Sequence, residues 1–323
     1  MPRPRVIALV AYPGAASLDI SGPAAVFAAT NRLVGRELYA TRVVSSTGGL
    51  IATNGDIAIM TGAVRRLKPS SVHTMLVVGG DEEALRAMLL DAVARRWITR
   101  TARVCARFGS VCSGAFVLAS YGLLDGKRVA THWQATAILA KTFPKLTVDA
   151  DALYVQDGRV WTSAGVTTGI DMALALVERD VSAAAATAVA QHLVLHARRP
   201  GFQSQFSPLL HAQLRADTPY RELIEWLQQH LRDRLDLTAL AARAGQSPRH
   251  FHRRFSAVTG ESPAHFVETL RLERARALLA HRLTLKEVAD ESGFGSAVQL
   301  SRAFERRFGL PPSVLRQTLR AAS

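Results

Sequence analysis

Two stretches of this chain, FHRRFSAVTGESP and LSRAFERRFGLPP, repeat one pattern at an offset of 49 residues. Phe251, Arg253, Phe255, Gly260 and Pro263 of the first correspond to Leu300, Arg302, Phe304, Gly309 and Pro312 of the second. Self-similarity at a fixed spacing means that one supersecondary unit is built twice, which restricts this half to folds with two like units. A short helical stretch ending in a glycine turn precedes each copy, LTALAARAGQS before the first and TLKEVADESGFGS before the second. Thr284 and Glu287 write a capping box, and Ser247 and Ser296 are good N-caps for the helices that follow. Helix, glycine turn, capped helix is the layout of a helix-turn-helix.

In such a unit the second helix reads the partner. Helical spacing turns Phe251, Phe255, Leu300 and Phe304 toward a small core. It turns Arg249, His252 and Arg253, and Val298, Gln299 and Arg302, outward, with Ser296 at the head of the second reading helix. Arg takes guanine bidentately, Gln pairs with adenine and Val meets the thymine methyl, so these residue types fit a major groove. The stretch AHFVETLRLERARALLAHR predicts a rod of about 22 Å between the units, from about 15 residues at about 1.5 Å each. That length suits two reading helices in successive major-groove segments on one face of a duplex. A helical protein-interaction module is the alternative reading of the same pattern.

The first half has a different period. VIALVAY, YATRVVSS, TMLVVGG and FGSVC predict buried strands; GPAAVFAATNRLV, DEEALRAMLLDAVARRWITRTARV and SGAFVLASYGLL predict helices among them. Alternation of this kind predicts an α/β architecture, a parallel sheet covered by helices, followed by an all-α domain. DALYVQDGRVWTSA adds a hairpin turning at Asp157 and Gly158, and TTGIDMALALVERD and VSAAAATAVAQHLVLHARR close the half with two helices. Periodicity then lapses in RRPGFQSQFSPLLHAQLRADTP. The expected organisation is a domain over 1–199, a linker over 200–218 and a second domain over 219–323.

The net charge of +14 suits a polyanionic partner, since Lys and Arg that neutralise phosphates release counterions. From Pro219 onward there are 17 Lys and Arg against 11 Asp and Glu, so the second half carries +6 and the first +8. Charge alone therefore does not locate the partner, and a solvated Arg-rich surface has the same composition. No apolar run approaches the roughly 20 residues of a membrane span, and MPRPRVIALVAYPG is too short in its apolar part for a signal peptide. With only Cys105 and Cys112 there is no disulfide framework, and the expected compartment is the cytoplasm.

Cys112 is the chemical question of the first half. Ser110-Val111-Cys112-Ser113-Gly114 passes from strand to helix with small residues on both sides, the shape of a nucleophile elbow. A thiol at a helix N-terminus is expected to have a lowered pKa. An inert small core residue is the plain alternative. His192 and His196 stand four apart in an apolar helical context without a third ligand, so packing is expected there rather than zinc. No metal or cofactor is expected.

With these residues in view, the second half resembles the AraC family DNA-binding domain. The second unit carries the resemblance: Gly293-Phe294-x-Ser296, then Arg302-x-Phe304, Gly309, and Pro311-Pro312 leading to Arg316, with Leu315 where the family usually has an aromatic residue. The first half resembles the class I amidotransferase-like superfamily in its PfpI-type branch. Asp19 in YPGAASLDISGPAAVF, Gly79 and Gly80 in VVGGD, VCSGAF with Cys112, ATHW with His132, and TSAGVTTGID carry that match.

The resemblance implies a flavodoxin-like sheet of the amidotransferase type. It also implies an effector pocket of Asp19, Gly79, Gly80, Cys112, Ser113 and His132, with Asp19 beside the thiol, the N–H groups of Gly80 and Ser113 as an oxyanion-type nest, and His132 near the sulfur. Two departures bear on catalysis. Ser113 stands where PfpI-type peptidases have a histidine, and no late H-x-E pair is present. This domain order resembles GlxA-type transcriptional regulators. It implies a double-stranded DNA operator, a small, often nitrogen-containing effector, dimerisation through the first domain, and RNA polymerase as a partner if the protein activates. A cysteine-dependent hydrolase or hydratase and a thiol oxidation sensor are the competing readings.

Overall fold

The computed structural model describes residues 3–195, 198–199, 201, 205, 220–259, 261–279, 281, 283–308, 311–314 and 316. His196, Gly260, Gly309 and Leu315, and all of 200–218 except Gly201 and Gln205, lie outside the described residues. The chain divides into two compact units, Met1–Gln205 and Phe206–Ser323.

The first unit runs β1 (Arg5–Val10), α1 (Ser17–Val34), β2 (Tyr39–Ser45), β3 (Gly49–Ala52), β4 (Ala58–Ala63), β5 (Val72–Val77), α2 (Glu82–Leu90), α3 (Ala92–Val104), β6 (Arg107–Val111) and α4 (Gly114–Ser120). It continues with β7 (Arg128–Val129), α5 (Thr136–Thr142), β8 (Thr147–Val148), β9 (Tyr154–Asp157), β10 (Val160–Ser163), α6 (Thr168–Asp180) and α7 (Ala183–His192). Eight strands form one sheet in the order β3-β4-β2-β1-β5-β6-β10-β9. The six inner strands are parallel, and β3 and β9 close the edges antiparallel. The expected parallel sheet is present with two antiparallel edges. β3 escapes the sequence because its exposed face, Leu50 and Ala52, is as apolar as its buried residue Ile51. The hairpin at Asp157 and Gly158 joins β9 to β10, and Gly158 takes the left-handed conformation its turn needs, φ 62°.

The single helix expected over DEEALRAMLLDAVARRWITRTARV is two helices broken at Asp91. Its backbone is extended, φ −74° and ψ 97°, and its carboxylate accepts the Val93 and Ala94 N–H groups as the N-cap of α3. Buried strands β1, β5 and β6 fill the centre of the unit with Ile7, Leu9, Met75, Leu76 and Phe108, and α1, α6 and α7 pack together over the sheet. The strand N-terminal edge is locked by a buried ion cluster. Arg107 donates to Thr74 Oγ1 at 2.8 Å and to Asp180, which also takes Arg5 at 2.7 Å and the Tyr39 hydroxyl at 2.8 Å. Burial alone would raise the Asp180 pKa, but the Arg107 hydrogen bond and charge, with Tyr39 and Arg5, outweigh it and hold the carboxyl below its ordinary value. The opposite edge, at the strand C-termini, is where ligand sites form in open α/β sheets.

The second unit is helical in its described residues: α8 (Arg221–Gln229), α9 (Leu237–Arg243), α10 (Pro248–Thr259), α11 (Pro263–Leu279), α12 (Leu285–Glu291) and α13 (Ala297–Phe308). Phe251, Phe255 and Phe266 stack edge-on or tilted, and with Tyr220, Leu227 and Leu240 they make the first small core. Leu300 and Phe304 are fully buried, as is Val288, and α13 packs against α11 and α12. Both glycine turns, Gly245 at φ 64° and Gly293 at φ 80°, use the left-handed region. Among the described residues no helix is long and apolar enough to cross a membrane.

Candidate functional site

Cys112 follows β6 directly, two residues before α4, with φ 56°. That is the left-handed region, which costs a residue with a Cβ on the order of 1 kcal/mol or more and persists only where neighbours fix it. Here the Cys112 N–H donates to Ser163 O at 2.9 Å on β10, and the Thr131 hydroxyl donates to Cys112 O at 3.0 Å. The turn is therefore held from both flanks. A part of Cys112 remains open to solvent.

Asp19, on the first turn of α1, is fully buried. Its Oδ2 accepts the Gly79 N–H at 3.1 Å and its Oδ1 the Val166 N–H at 2.7 Å. Gly79 has no room for a side chain: a Cβ there would lie 2.7 Å from Cys112 Cβ, 2.9 Å from Asp19 Oδ2 and 2.9 Å from Ser113 N. Those three distances also fix how tightly Asp19, Gly79, Cys112 and Ser113 converge. The Ser113 hydroxyl donates to Gly80 O at 2.9 Å and accepts the Gly80 N–H at 3.1 Å. Five of the six residues expected in the pocket, Asp19, Gly79, Gly80, Cys112 and Ser113, thus come together. His132, next to Thr131, is half-buried, and its ring packs on Trp133 at 5.6 Å between centroids. Burial pushes its pKa below the usual histidine value.

Two expectations are corrected. The Cys112 thiol is pushed up to about 12, by burial first and by the Asp19 charge second, while hydrogen bonding from Ser113 acts in the opposite sense. Helix position does not win because α4 is only seven residues long and the buried carboxyl lies beside the sulfur. The nest of Gly80 and Ser113 N–H groups is not free either, since the Gly80 N–H is engaged by the Ser113 hydroxyl. Asp19 itself is raised to about 6 by burial, against the lowering effect of the Val166 and Gly79 N–H groups. With both oxygens engaged, Asp19 clamps the loops at Gly79 and Val166 to α1 rather than standing as a free acid.

Sequence reasoning missed the residues that cover the thiol. Gly165, at φ 89°, lies so close that a Cβ would stand 2.2 Å from Cys112 Cβ and 2.8 Å from Sγ. Val166 beside it is left-handed too, φ 53°, and is the residue whose N–H Asp19 holds. The motif TSAGVTTGID contained both, but nothing in its composition points across to position 112. Tyr12 also stands against this cluster: its hydroxyl donates to Val78 O at 3.1 Å, and a Cβ on Gly80 would meet its ring at 3.0 Å. His192 is exposed on the last turn of α7 rather than packed, and among the described residues no three His, Cys, Asp or Glu side chains could hold a metal.

The second site is the outer face of the repeated helices. Arg249, His252, Arg253, Val298, Gln299 and Arg302 are all exposed, as is Ser296. The caps hold as expected: the Gln299 N–H reaches Ser296 Oγ at 3.2 Å, the His250 N–H reaches Ser247 Oγ at 3.4 Å, and the Thr284–Glu287 capping box is complete. Gln299, Arg302 and Arg306 of α13 face Ala264, Glu268 and Arg271 of α11 across a groove of about 400 Å³. Arg306 is paired with Glu268 at 2.9 Å, whereas Arg302, one turn earlier, projects beside that pair.

Exposed arginine and amide side chains on two capped helices, and a clamped cysteine turn at the strand C-termini, are features of different protein classes joined in one chain. The DJ-1/PfpI family model matches residues 4–179 and a helix-turn-helix domain model matches residues 240–318. The chain is 32% identical to the HTH-type transcriptional regulator GlxA of Rhizobium meliloti, over 90% of this chain and 88% of that one. It is 30% identical to the isonitrile hydratase of Pseudomonas putida, over 61% of this chain and 81% of that one. Among solved structures, a THiJ/PfpI family protein from Pseudomonas syringae aligns with a TM-score of 0.56 at 23% identity, covering 69% of this chain and 87% of that one, a likeness of fold. The chain belongs to the DJ-1/PfpI family and carries an AraC-type helix-turn-helix domain, the make-up of an HTH-type transcriptional regulator.

Proposed function

We propose that this regulator is controlled by a small, nitrogen-containing metabolite bound at the Cys112 turn, and that Arg249, His252, Arg253, Ser296, Val298, Gln299 and Arg302 form its operator-reading face. In this reading residues 1–199 sense and dimerise, 200–218 link, and 219–323 read DNA in the cytoplasm, with RNA polymerase as the partner of an activating complex. Asp19, Gly79, Gly80, Cys112, Ser113 and His132 line the effector pocket. The observation that carries it is the state of Cys112. Burial and the Asp19 charge push its thiol up to about 12, and Asp19, the acid beside it, has both oxygens engaged by backbone N–H groups. A proficient cysteine nucleophile requires the thiolate and a base in reach.

A thermal-shift screen of amino acids, betaines and related amines tests the reading. Binding to the folded state raises the midpoint by mass action, by about 2.7 kcal/mol of stability at 100 times Kd. The expected result is a stabilising compound that changes operator affinity and is recovered chemically unaltered. The second reading, a cysteine-dependent hydratase or hydrolase, draws on the isonitrile hydratase relative. Turnover of the stabilising compound, lost in Cys112→Ala, would establish it in place of sensing.

A further inference from the structure

The chain leaving the first unit is fastened on both sides of Cys112. On one side Arg199 donates from Nε and Nη2 to Asp171 Oδ2 at 3.0 and 2.6 Å, and its own N–H reaches Asp171 Oδ1 at 3.3 Å. Nη2 also donates to Thr167 Oγ1 at 2.8 Å. Exposed ion pairs ordinarily contribute little; here Asp171 is 5% exposed, and two guanidinium nitrogens converge on its Oδ2 while the backbone N–H takes Oδ1. Thr167 directly follows Gly165 and Val166, the pair that covers Cys112 and is tied to Asp19.

On the other side Gln205 Nε2 donates to the carbonyls of Thr131, Ala150 and Ala152 at 3.0, 3.3 and 3.0 Å, and its N–H donates to Asp151 O at 2.8 Å. Thr131 is the residue whose hydroxyl holds Cys112 O. Between the two anchors Gly201 O accepts the Tyr154 N–H at 3.2 Å, and a Cβ at Gly201 would collide with Tyr154 O at 2.5 Å. The covalent route to the second unit begins at Gln205.

We propose that Arg199 and Gln205 are the anchors of an output strap: a group bound to Cys112 displaces Gly165 and Val166, shifts Thr167 and loosens the hold of Arg199 and Gln205 on the first unit. The proposal rests on the reading of the first unit as a sensor and names its route of regulation. Gly165 packs so closely on the cysteine that a Cβ there would stand 2.8 Å from Sγ, so a group growing from the sulfur toward the 165–166 loop displaces it. Val166, β-branched at φ 53°, is held in a disfavoured conformation by its surroundings, which gives the loop a relaxed alternative once those contacts break. Coupling of this kind is reciprocal: if an adduct at Cys112 loosens the strap, cutting the strap must expose Cys112.

Reciprocity allows a test without the effector. In the full chain, iodoacetamide alkylates Cys112 by forming an S–C bond and releasing iodide and the thiol proton. The rate is read by peptide mass spectrometry, with buried Cys105 as the internal reference. Arg199→Ala and Gln205→Ala are expected to raise the Cys112 rate by about 5-fold or more, the lower end of ordinary coupling between sites, with Arg199→Lys intermediate and Cys105 unchanged. In the forward direction, wild type carbamidomethylated at Cys112 is expected to exchange the Tyr154 and Gln205 amides faster while the β1 amides stay protected. Unchanged Cys112 rates in both alanine variants would overturn the proposal, as would parallel acceleration of Cys105, which means general loosening. If the adduct disrupts β1, the variant rates decide alone. Failure to find any metabolite ligand would sink the sensing reading and leave these rates as they are, so the two failures are distinguishable.

Discussion

The two units place the polar groups of their candidate sites differently. In the first, Asp19 is fully buried with both oxygens engaged, Ser113 is turned onto Gly80, and Asp180 is enclosed by Arg5, Arg107 and Tyr39. In the second, the polar side chains of the two reading helices, Arg249, His252, Arg253, Gln299 and Arg302, are exposed, while Phe251, Phe255, Leu300 and Phe304 beneath them are buried; Arg276 and Ser292 are buried polar residues elsewhere in the unit. Buried polar groups that satisfy one another fix a shape, and a small displacement in such a network is transmitted because every partner is engaged. Exposed cations and amides await a partner that brings its own charge and hydrogen-bond pattern. The difference assigns response to one unit and recognition to the other.

The largest effect expected from breaking this contrast is in the recognition unit's core. Phe304→Ala removes a fully buried ring and is expected to cost about 3–5 kcal/mol. Hydrogen exchange should show α12 and α13 opening while β1 and β5 stay protected; simultaneous loss in both units would mean they do not fold independently.

Next in size is Asp19→Asn. An amide cannot accept at both ends, so the Gly79 or Val166 N–H loses its partner, at a cost of about 1–3 kcal/mol at pH 7. The pH dependence has a definite sign. Asp19 is raised toward about 6 in the folded protein, so its contribution to stability is fully present below its ordinary pKa and is lost as pH rises through the folded value. Urea midpoints should therefore show the wild type gaining on the variant as pH falls from 7 toward 4. A gap independent of pH would mean that Asp19 is not buried as an acid.

The smallest effect, on rate rather than stability, concerns the thiol. With Cys112 pushed up to about 12, its alkylation by iodoacetamide should keep rising steeply with pH from 8 to 10, about tenfold per pH unit while the thiolate is the minor form. A plateau below pH 8 would restore the lowered pKa that the elbow alone suggests, and with it the enzymatic reading.

The sequence carried the alternation of strand and helix, the elbow at Cys112, the hairpin at Gly158 and the repeat with its caps, because each is a local pattern with one physical solution. It did not carry what depends on distant partners. Asp91 reads as one more helical residue until its backbone turns extended and caps the next helix. The cover over Cys112 comes from Gly165 and Val166, and a valine at positive φ runs against its own preference. The expected sign of the thiol shift was reversed for the same reason: a helix terminus is visible in a local motif, but burial beside a carboxyl brought from position 19 is not. Arg199 and Gln205 appeared only as charge and polarity at the head of an aperiodic stretch, and their contacts reach back to Thr167, Asp171, Thr131 and Ala152.

The most direct measurement is selection from a random duplex library by the full chain and by its Arg253→Ala and Arg302→Ala variants at one fixed salt concentration. The account predicts a bipartite motif with two elements about one helical turn apart, and loss of preference at about one base pair in a different element for each variant, worth about 1–3 kcal/mol there. No motif, or one motif recovered unchanged by both variants with uniformly weaker binding, would contradict sequence reading by α10 and α13.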